Sequence, residues 1–401
     1  MKKVLILGGG TGGTMLANTL DKRQFEVTVL SATSLHMFQP ALLYVAFKGA
    51  GGHITRNERS LLSRKVKFVQ ENVTHVDLRE HVVDTRSGRR YDYDYIVIAT
   101  GVRTDPAQIA GLAAVNAQFG DYHSNVAQAE KVWASLEAFQ GGTIVVGQSS
   151  PAIKCPPSPL EGVLLVEELV RKKGLRDKTK FVFFTPYPRA YPAAPMNEVI
   201  EPILKERGIE VMTFFDVDRI DPATRTISSI EGDQITYDLP IIVPPFVGAE
   251  IGYDPAEVAD PSRFIVTDKK SLRVKGVEAA FAMGDATNLP TSKAGVGAHL
   301  EAKIIAREVS GEPAEFDGRT HCPVDLAYGE GTFVIGSYTA PVVKYPPSRL
   351  NHWMKMMMAH IYWLSLRGVL EPIFDWYFAR TAPEKIGPHF ASSSHAGQAA
   401  K

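Results

Sequence analysis

Apolar and polar positions in the first thirty residues follow the order strand, turn, helix, strand. A continuous apolar run from Val4 to Leu7 is typical of a strand buried in a parallel sheet. Gly8, Gly10 and Gly13 follow it, and a helical stretch then leads to a second apolar strand. In this context Gly8 allows a tight turn, Gly10 lets the backbone approach a pyrophosphate, and Gly13 lets helix and strand pack closely. The pattern predicts a dinucleotide site in which a helix N-terminus faces the phosphates.

The second strand ends at Ser31, where such units normally carry Asp or Glu for the ribose hydroxyls. A serine hydroxyl still hydrogen-bonds a ribose, although less strongly than a carboxylate does. We therefore expect Ser31, or its neighbours at residues 32–34, to make this contact.

Two later segments extend the same site. Residues 95–101 read YIVIATG, a buried strand that runs into a turn at Thr100 and Gly101. Residues 280–285 read AFAMGD, a strand that ends at Asp285 before a further helix. In flavoproteins with two dinucleotide folds, such segments return the chain to the FAD domain and place a carboxylate on the ribityl chain. Three segments in this order predict bound FAD.

The middle of the chain repeats the strand and the turn but not the glycines. Residues 142–147 read GTIVVG, and a nicotinamide-binding fold would continue with two more spaced glycines. Residues 147–152 read GQSSPA instead, and Pro151 stiffens the turn. The sequence predicts a second α/β fold whose nicotinamide site is lost.

The 401 residues are enough for two or three domains. The elements predict an α/β chain with two tandem Rossmann-like domains, the FAD domain being discontinuous, followed by C-terminal amphipathic helices. The predicted boundaries are 1–110 and 270–345 for the two parts of the FAD domain, 111–269 for the second Rossmann-like domain, and 346–401 for the C-terminal region.

Charge and composition exclude several classes of function. Lys plus Arg and Asp plus Glu number 44 each, so no net field attracts nucleic acid and no nucleic-acid partner is expected. The chain lacks the run of about 18 apolar residues that predicts a spanning helix. The N-terminal apolar run is too short and too rich in glycine for a signal peptide, so none is expected. Cys155 and Cys322 lie too far apart for a local metal clip, and no metal site is predicted.

The surroundings of the two cysteines carry a family resemblance. Counted alone, two thiols fit either unrelated buried cysteines or a redox-active pair. Cys155 directly follows the altered second turn, and Cys322 lies in the stretch HCPVDLAYGEG. With the GGGTGG turn, Phe38-x-Pro40, the PPF turn at 244–246 and the stretch MGDATNLPTSKAG, the sequence resembles the sulfide:quinone oxidoreductase family. The superfamily also holds flavocytochrome c sulfide dehydrogenase and type II NADH dehydrogenase.

The resemblance implies roles for individual residues. Cys155 and Cys322 match two cysteines that lie on one side of the flavin and exchange sulfur. The sequence does not decide which of them is flavin-proximal; Cys322 is favoured because it follows the closing helix of the FAD domain. Glu161 matches an acidic residue of the cysteine-bearing helix and is a candidate general base. Asp285 matches the residue on the ribityl chain, and Lys293 matches a lysine near the pyrimidine end of the flavin and the quinone. The other expected cofactor contacts are Gly8, Gly10, Gly13, Ser31, Pro40, Thr100 and Gly101.

Many family members carry a third cysteine before the second fold. In this chain residues 115–135 contain Tyr122 and His123 but no thiol, which fits the branch that works with two sulfurs. In that chemistry hydrosulfide opens a disulfide between the cysteines, one persulfide and one thiolate result, and two electrons then pass to FAD. The reacting sulfur must be a thiolate, and Lys154 or His321 is a candidate cation for it, against the alternative of a solvated charge.

The C-terminal region has the pattern of a membrane-surface helix. In residues 350–366 the apolar side chains on one helical face are Leu350, Trp353, Met357, Ile361 and Leu364. Trp and Tyr favour the bilayer interface, and Lys355, Arg367 and Arg380 are expected to reach lipid headgroups. The alternative is an ordinary core helix.

With the resemblance, this pattern predicts peripheral, monotopic membrane association and a quinone channel lined by Tyr362 and Trp363. Deletion of residues 346–401 is then expected to release the protein from membranes and leave sulfide-dependent flavin reduction largely intact.

The expected activity is oxidation of hydrosulfide to zero-valent sulfur or polysulfide, coupled through FAD to reduction of a membrane quinone. The sequence leaves open whether the chain forms a homo-oligomer. It also leaves three alternatives: a flavoprotein subunit that gives electrons to a c-type haem partner, a type II NADH:quinone oxidoreductase, and a non-enzymatic protein in which the cysteines switch a binding surface.

Overall fold

A computed structural model describes residues 1–50 and 54–387. The N-terminal elements are β1 (Lys2–Leu7), α1 (Thr11–Thr19), β2 (Phe25–Ser31), β3 (Leu35–Met37), α2 (Leu42–Lys48), β4 (Thr55–Asn57), α3 (Glu58–Leu61), β5 (Lys67–Gln70), β6 (Val73–Asp77), β7 (Val82–Thr85), β8 (Arg90–Asp92), β9 (Tyr95–Ile98) and β10 (Val102–Thr104).

The middle elements are α4 (Leu112–Phe119), α5 (Val126–Ala138), β11 (Gly142–Gln148), α6 (Ser158–Lys172), β12 (Thr179–Phe184), α7 (Ala194–Glu206), β13 (Ile209–Met212), β14 (Val217–Asp221), β15 (Thr226–Ser229), β16 (Gln234–Thr236), β17 (Leu239–Val243), β18 (Phe246–Gly248) and β19 (Gly252–Asp254). The last elements are β20 (Ala280–Ala282), α8 (Gly295–Val309), β21 (Thr320–Asp325), β22 (Gly331–Gly336), α9 (Arg349–Ser365) and α10 (Glu371–Arg380).

The first sheet is parallel throughout, in the order β20-β9-β1-β2-β5. Leu7 of β1 pairs with Leu30 of β2 and Ile98 of β9, so the carboxyl ends of these strands meet at one edge. Apolar side chains fill both faces, and α1 packs against α8. Because β20 joins a sheet built on β1, distant parts of the chain form one fold. The exact domain boundaries stay a prediction.

The second sheet is also parallel, in the order β13-β12-β11-β17. Ile144 and Val146 of β11 point into one apolar core, and Val145 between them points into another. Two Rossmann-like units with buried parallel strands confirm the predicted fold class. Two smaller sheets, β19-β6-β7-β8 and β14-β15-β16, take strands inserted between those of the parallel sheets: β6 to β8 follow β5, and β14 to β16 follow β13.

The C-terminal helices lie against the hairpin of β21 and β22 and leave a set of large apolar side chains in solvent. Leu350, Trp353 and Leu364 of the predicted helical face are 63%, 57% and 47% exposed. The exposed apolar side chains of this region form a set that we call the outer apolar face: Leu350, Trp353, Leu364, Val369, Ile373 and Trp376. Within residues 1–50 and 54–387, no helix combines the length and the apolar character needed to span a bilayer.

Candidate active site

The first glycine turn has the geometry that a pyrophosphate requires. Gly8 has φ +109°, and a Cβ there would lie 2.3 Å from the Ala99 carbonyl oxygen. A Cβ on Gly13 would lie 2.0 Å from the Gly8 carbonyl oxygen, so helix and strand pack closely only with glycine. A Cβ on Gly10 would meet no atom within 4 Å. The open approach at Gly10, the N-cap of α1, fits a phosphate against the helix N-terminus.

A buried polar network lies beside this turn. Glu58 accepts hydrogen bonds from the Thr14 hydroxyl at 2.5 Å and pairs with His36 Nδ1 at 2.7 Å. His36 Nε2 lies 2.6 Å from the Tyr362 hydroxyl oxygen, which is also 2.7 Å from Thr11 Oγ1. Every bond is satisfied if Tyr362 donates to a neutral His36 and Thr11 donates to Tyr362. The network joins α9 to the first residue of α1.

Tyr362 and Trp363 both pack onto the first domain. The Tyr362 ring lies 4.4 Å from the Phe38 ring, measured between centroids. Trp363 is 8% exposed and packs with Leu61. The Arg56 guanidinium stands 4.6 Å from its ring. These contacts account for both side chains, and their role in binding quinone stays a prediction.

Replacing Tyr362 with phenylalanine should loosen α9 from the first domain. His36 Nε2 would lose its buried partner, which costs about 1–3 kcal/mol of unfolding free energy. Urea unfolding and the proteolysis rate of the C-terminal helices measure this. Tyr91→Phe is a matched control, because the Tyr91 hydroxyl makes no hydrogen bond within the described part of the chain. Equal effects of the two variants would show that the network does not hold α9.

The other predicted cofactor residues surround the edge of the first sheet. Ser31 is buried at the end of β2, and its carbonyl oxygen accepts the Glu71 N–H at 2.8 Å. Thr100 and Gly101 follow β9, and Gly101 has φ +65°. Pro40 lies in the 3-10 turn Gln39–Ala41. Their contacts with a cofactor stay predictions.

Asp285 and Lys293 frame the loop that leads to α8. Burial raises the pKa of Asp285, and the nearby charges of Lys154 and Lys293 lower it. The Lys293 ammonium donates to the carbonyl oxygens of Asp285 at 3.0 Å and Thr287 at 2.5 Å. Lys293 therefore braces the Gly-Asp turn from within.

The two cysteines contact this same loop. The Cys155 N–H donates to the Lys293 carbonyl oxygen at 2.8 Å, and Cys322 Sγ lies 3.7 Å from Ser292 Oγ. Both are free thiols. Cys155 has φ +54°, a strained conformation for a residue with a Cβ, of the kind that gathers at functional sites. Thus residues 167 positions apart in sequence converge on one loop beside the first sheet.

Burial is the largest influence on both thiols. It raises the pKa of Cys155, and the charges of Glu161 and Cys322 raise it further, whereas Lys355 lowers it. Burial also raises the pKa of Cys322, and the hydroxyls of Thr320 and Ser292 lower it.

Glu161 pairs with a lysine that the sequence does not single out as a site residue. Glu161 is 2% exposed in the first turn of α6 and accepts the Asp325 N–H at 2.6 Å. Its second partner is the ammonium of Lys355 from α9. The expectation that Lys355 reaches lipid headgroups is wrong: it is 9% exposed and points inward, because the buried carboxylate supplies a better partner.

The two cations adjacent in sequence to the cysteines have different surroundings. Lys154 donates to Gln39 Oε1 at 2.9 Å and to the His123 carbonyl oxygen at 2.8 Å, and it lies close enough to Cys155 to interact with its charge. His321 Nε2 lies 2.8 Å from the Tyr377 hydroxyl. Burial lowers the pKa of His321 to about 3, so it is neutral near pH 7 and supplies no cation.

The region without the third cysteine also reaches this site. The Tyr122 hydroxyl donates to the Ser158 carbonyl oxygen at 3.1 Å, and His123 Nε2 lies 2.7 Å from Ser158 Oγ. Ser158 is three residues after Cys155. Tyr122 and His123 therefore pack against the N-terminus of α6. They belong to the segment in which many family members carry the third cysteine.

The second dinucleotide turn is closed by its own chain. The Ser149 hydroxyl donates to the Val243 carbonyl oxygen at 2.8 Å, and the Tyr187 hydroxyl donates to the Pro151 carbonyl oxygen at 2.5 Å. The helix that should receive a pyrophosphate begins only at Ser158. This geometry fits the predicted loss of the nicotinamide site.

Comparisons with known proteins agree with this arrangement. A family model for the pyridine nucleotide-disulphide oxidoreductases matches residues 2–152. The mitochondrial sulfide:quinone oxidoreductase of Mus musculus is 28% identical over 394 residues, which cover 91% of this chain and 86% of the mouse protein. The solved structure of the sulfide:quinone oxidoreductase from Aquifex aeolicus matches with a TM-score of 0.79 at 21% identity and covers 92% of each chain.

A type II NADH:quinone oxidoreductase of Mycobacterium tuberculosis is 35% identical, but over 106 residues that cover 25% of this chain and 23% of the relative. The likeness to this relative is thus limited to one segment, whereas the likeness to the mouse protein covers 91% of the chain. Over most of its length the chain is thus similar to sulfide:quinone oxidoreductases, and its first part matches the pyridine nucleotide-disulphide oxidoreductases; both similarities imply a flavin cofactor.

Proposed function

We propose that the chain is a FAD-dependent sulfide:quinone oxidoreductase that oxidises hydrosulfide through Cys155 and Cys322. The observation that carries this proposal is the convergence of both cysteines on residues 292–293. That loop joins the Gly-Asp turn at Asp285 to α8, so two thiols lie beside the region where a flavin would bind. Sulfur chemistry next to a flavin fits the names of the relatives that match over most of the chain.

The sulfur steps balance within this pair. Hydrosulfide attacks a disulfide between Cys155 and Cys322, forming one S–S bond and breaking another, and leaves a persulfide and a thiolate. Two electrons and one proton then leave the pair, which recloses through the added sulfur. For each hydrosulfide the net reaction gives one zero-valent sulfur, and a quinone takes up the two electrons and two protons.

The residues that would hold FAD are the open turn at Gly10, the N-terminus of α1, Ser31 for the ribose and Asp285 for the ribityl chain. FAD supplies a two-electron acceptor between sulfur and quinone. Glu161 is the candidate base for the hydrosulfide proton, since its carboxylate is buried and burial raises its pKa.

The outer apolar face supports a quinone, rather than a soluble haem protein, as the electron acceptor. Its exposed tryptophans Trp353 and Trp376 suit the interface of a bilayer, where quinones reside. Arg380 lies 4.7 Å from the Trp376 ring and can reach lipid phosphate. The chain would thus bind one membrane face peripherally through α9 and α10.

Anaerobic titration of purified protein with sulfide tests the function. The flavin absorbance near 450 nm should bleach with sulfide and return when a quinone is added. Bleaching that only a c-type haem protein reverses would favour the flavocytochrome-like alternative. No bleaching at all would leave a non-enzymatic switch as the better hypothesis.

NADH should not reduce the flavin at a useful rate. In the turn at residues 147–152 polar groups form hydrogen bonds within the protein, and the second and third glycines of the motif are missing. We expect the NADH-dependent bleaching rate to be at least about 1000-fold below the sulfide-dependent rate, a difference of about 4 kcal/mol in barrier. Stopped-flow absorbance measures both, and fast bleaching by NADH alone would point to a type II NADH dehydrogenase.

A further inference from the structure

Lys355 is a buried cation on α9, a helix rich in methionine and aromatic residues. Its side chain is 9% exposed, although α9 has an open face at which a lysine would remain solvated. Taking an ammonium out of water is unfavourable unless a strong partner compensates. The burial of Lys355 therefore indicates a role other than keeping the protein surface soluble.

The position of Lys355 relates it to both cysteines. Glu161, its partner, lies six residues after Cys155 and just inside α6. The same carboxylate oxygen accepts the N–H of Asp325, three residues after Cys322 on β21. The ammonium therefore stands where the two cysteine-bearing segments meet.

Charged groups around this point come from four elements. Asp325 is fully buried and receives the Tyr44 hydroxyl from α2 at 3.1 Å. Lys48, also from α2, lies 3.6 Å from Asp325, and His352 from α9 lies 3.5 Å from it. Lys48 pairs with Asp325 from the partly exposed side, and Lys355 is the cation paired with Glu161.

Lys355, together with the neighbouring Lys154, favours anionic sulfur at this place. Burial and the negative charge of Glu161 both oppose a thiolate at Cys155, and Lys355 acts in the opposite direction on both thiols. A persulfide anion or thiolate would add a second negative charge next to Glu161. The cation offsets that charge in a poorly solvated site, where charges interact more strongly than in water.

We propose that Lys355 is a positioning residue for the sulfur chemistry, which stabilises anionic sulfur at Cys155 from the membrane-facing helix α9. Docking of α9 then assembles the sulfide site as well as the membrane-binding face. This inference rests on the proposed function, but its test also has a readout that needs no sulfide.

The test measures how fast iodoacetamide alkylates Cys155 in the holoenzyme as a function of pH, with mass spectrometry to identify the site. In Lys355→Met the pH midpoint of alkylation should rise by about one unit, so the rate below the midpoint falls about tenfold. Lys355→Arg keeps the charge and should restore most of the rate. Arg349→Met removes a charge from an exposed position on α9 and should change nothing.

Lys355→Met leaves Glu161 buried without its cation, so the variant could fail to fold for that reason alone. The double variant Glu161→Gln/Lys355→Met removes both charges and is compared with Glu161→Gln. If Lys355 acts on sulfur, the double variant still needs a higher pH for alkylation than Glu161→Gln does. If the two profiles coincide, or if Lys355→Met alkylates like the wild type, the proposal is wrong.

The two proposals fail in different ways. If sulfide does not bleach the flavin of the wild-type protein, the proposed function falls, and the alkylation profiles still decide the role of Lys355. If sulfide bleaches the wild type and Lys355→Met equally fast across the pH range, the function stands and the role of Lys355 falls.

Discussion

Replacing either Cys155 or Cys322 with serine is expected to abolish sulfide:quinone turnover, by at least roughly 1000-fold, since the two residues act as one unit. A serine hydroxyl does not form or open a disulfide, and its pKa is far above that of a thiol. Both cysteines contact the loop at residues 292–293, which supports their action as a pair. Either substitution removes one of the two proposed reacting sulfurs. Steady-state quinone reduction by sulfide measures the effect.

The fold should survive these changes. Each one exchanges a single small atom, and flavin content and the unfolding midpoint serve as controls. The double variant should be about as inactive as either single one, because a disulfide needs both sulfurs. The flavin-proximal cysteine, which we expect to be Cys322, should be needed for the charge-transfer band that appears with sulfide. Near-wild-type turnover in one single variant would show that the pair is structural.

Truncation before residue 346 should have the second-largest effect, because it removes both the outer apolar face and the inward-pointing side chains of Lys355 and Tyr362. We expect release from membranes and loss of long-chain quinone reduction. Sequence reasoning alone predicts that sulfide-dependent bleaching survives. The contacts in the structure lead us to expect the opposite, because the truncated chain lacks Lys355 beside Glu161 and Tyr362 beside His36. Bleaching should therefore slow at least about tenfold.

A surface variant separates the two contributions of the C-terminal helices. Trp353→Asp/Trp376→Asp disrupts the outer apolar face at two exposed positions and leaves Lys355 and Tyr362 in place. It should lose vesicle binding and keep fast bleaching by sulfide. A truncated protein that still reduces a long-chain quinone would refute the anchoring role of these helices.

The dinucleotide turn and the altered second turn are readable in the sequence, because backbone requirements restrict which residues fit. A Cβ at Gly8 or Gly13 would overlap backbone atoms, so spaced glycines report a tight turn directly. The order of apolar strands and helical stretches likewise predicts two parallel sheets, since each element carries its own periodicity. The cysteine contexts carry the family resemblance through short local motifs around Cys155 and Cys322.

The partners of buried charges depend on contacts between residues far apart in the chain. Lys355 reads as a surface lysine in an aromatic helix, and only the docking of α9 on β21 and β22 turns it toward Glu161, 194 residues earlier. Tyr362 meets His36 across 326 residues in the same way. A helical pattern shows which residues share a face but not which surface that face covers. The sequence thus determined the fold and pointed to the two candidate sulfurs, and tertiary packing decided which charges lie near them.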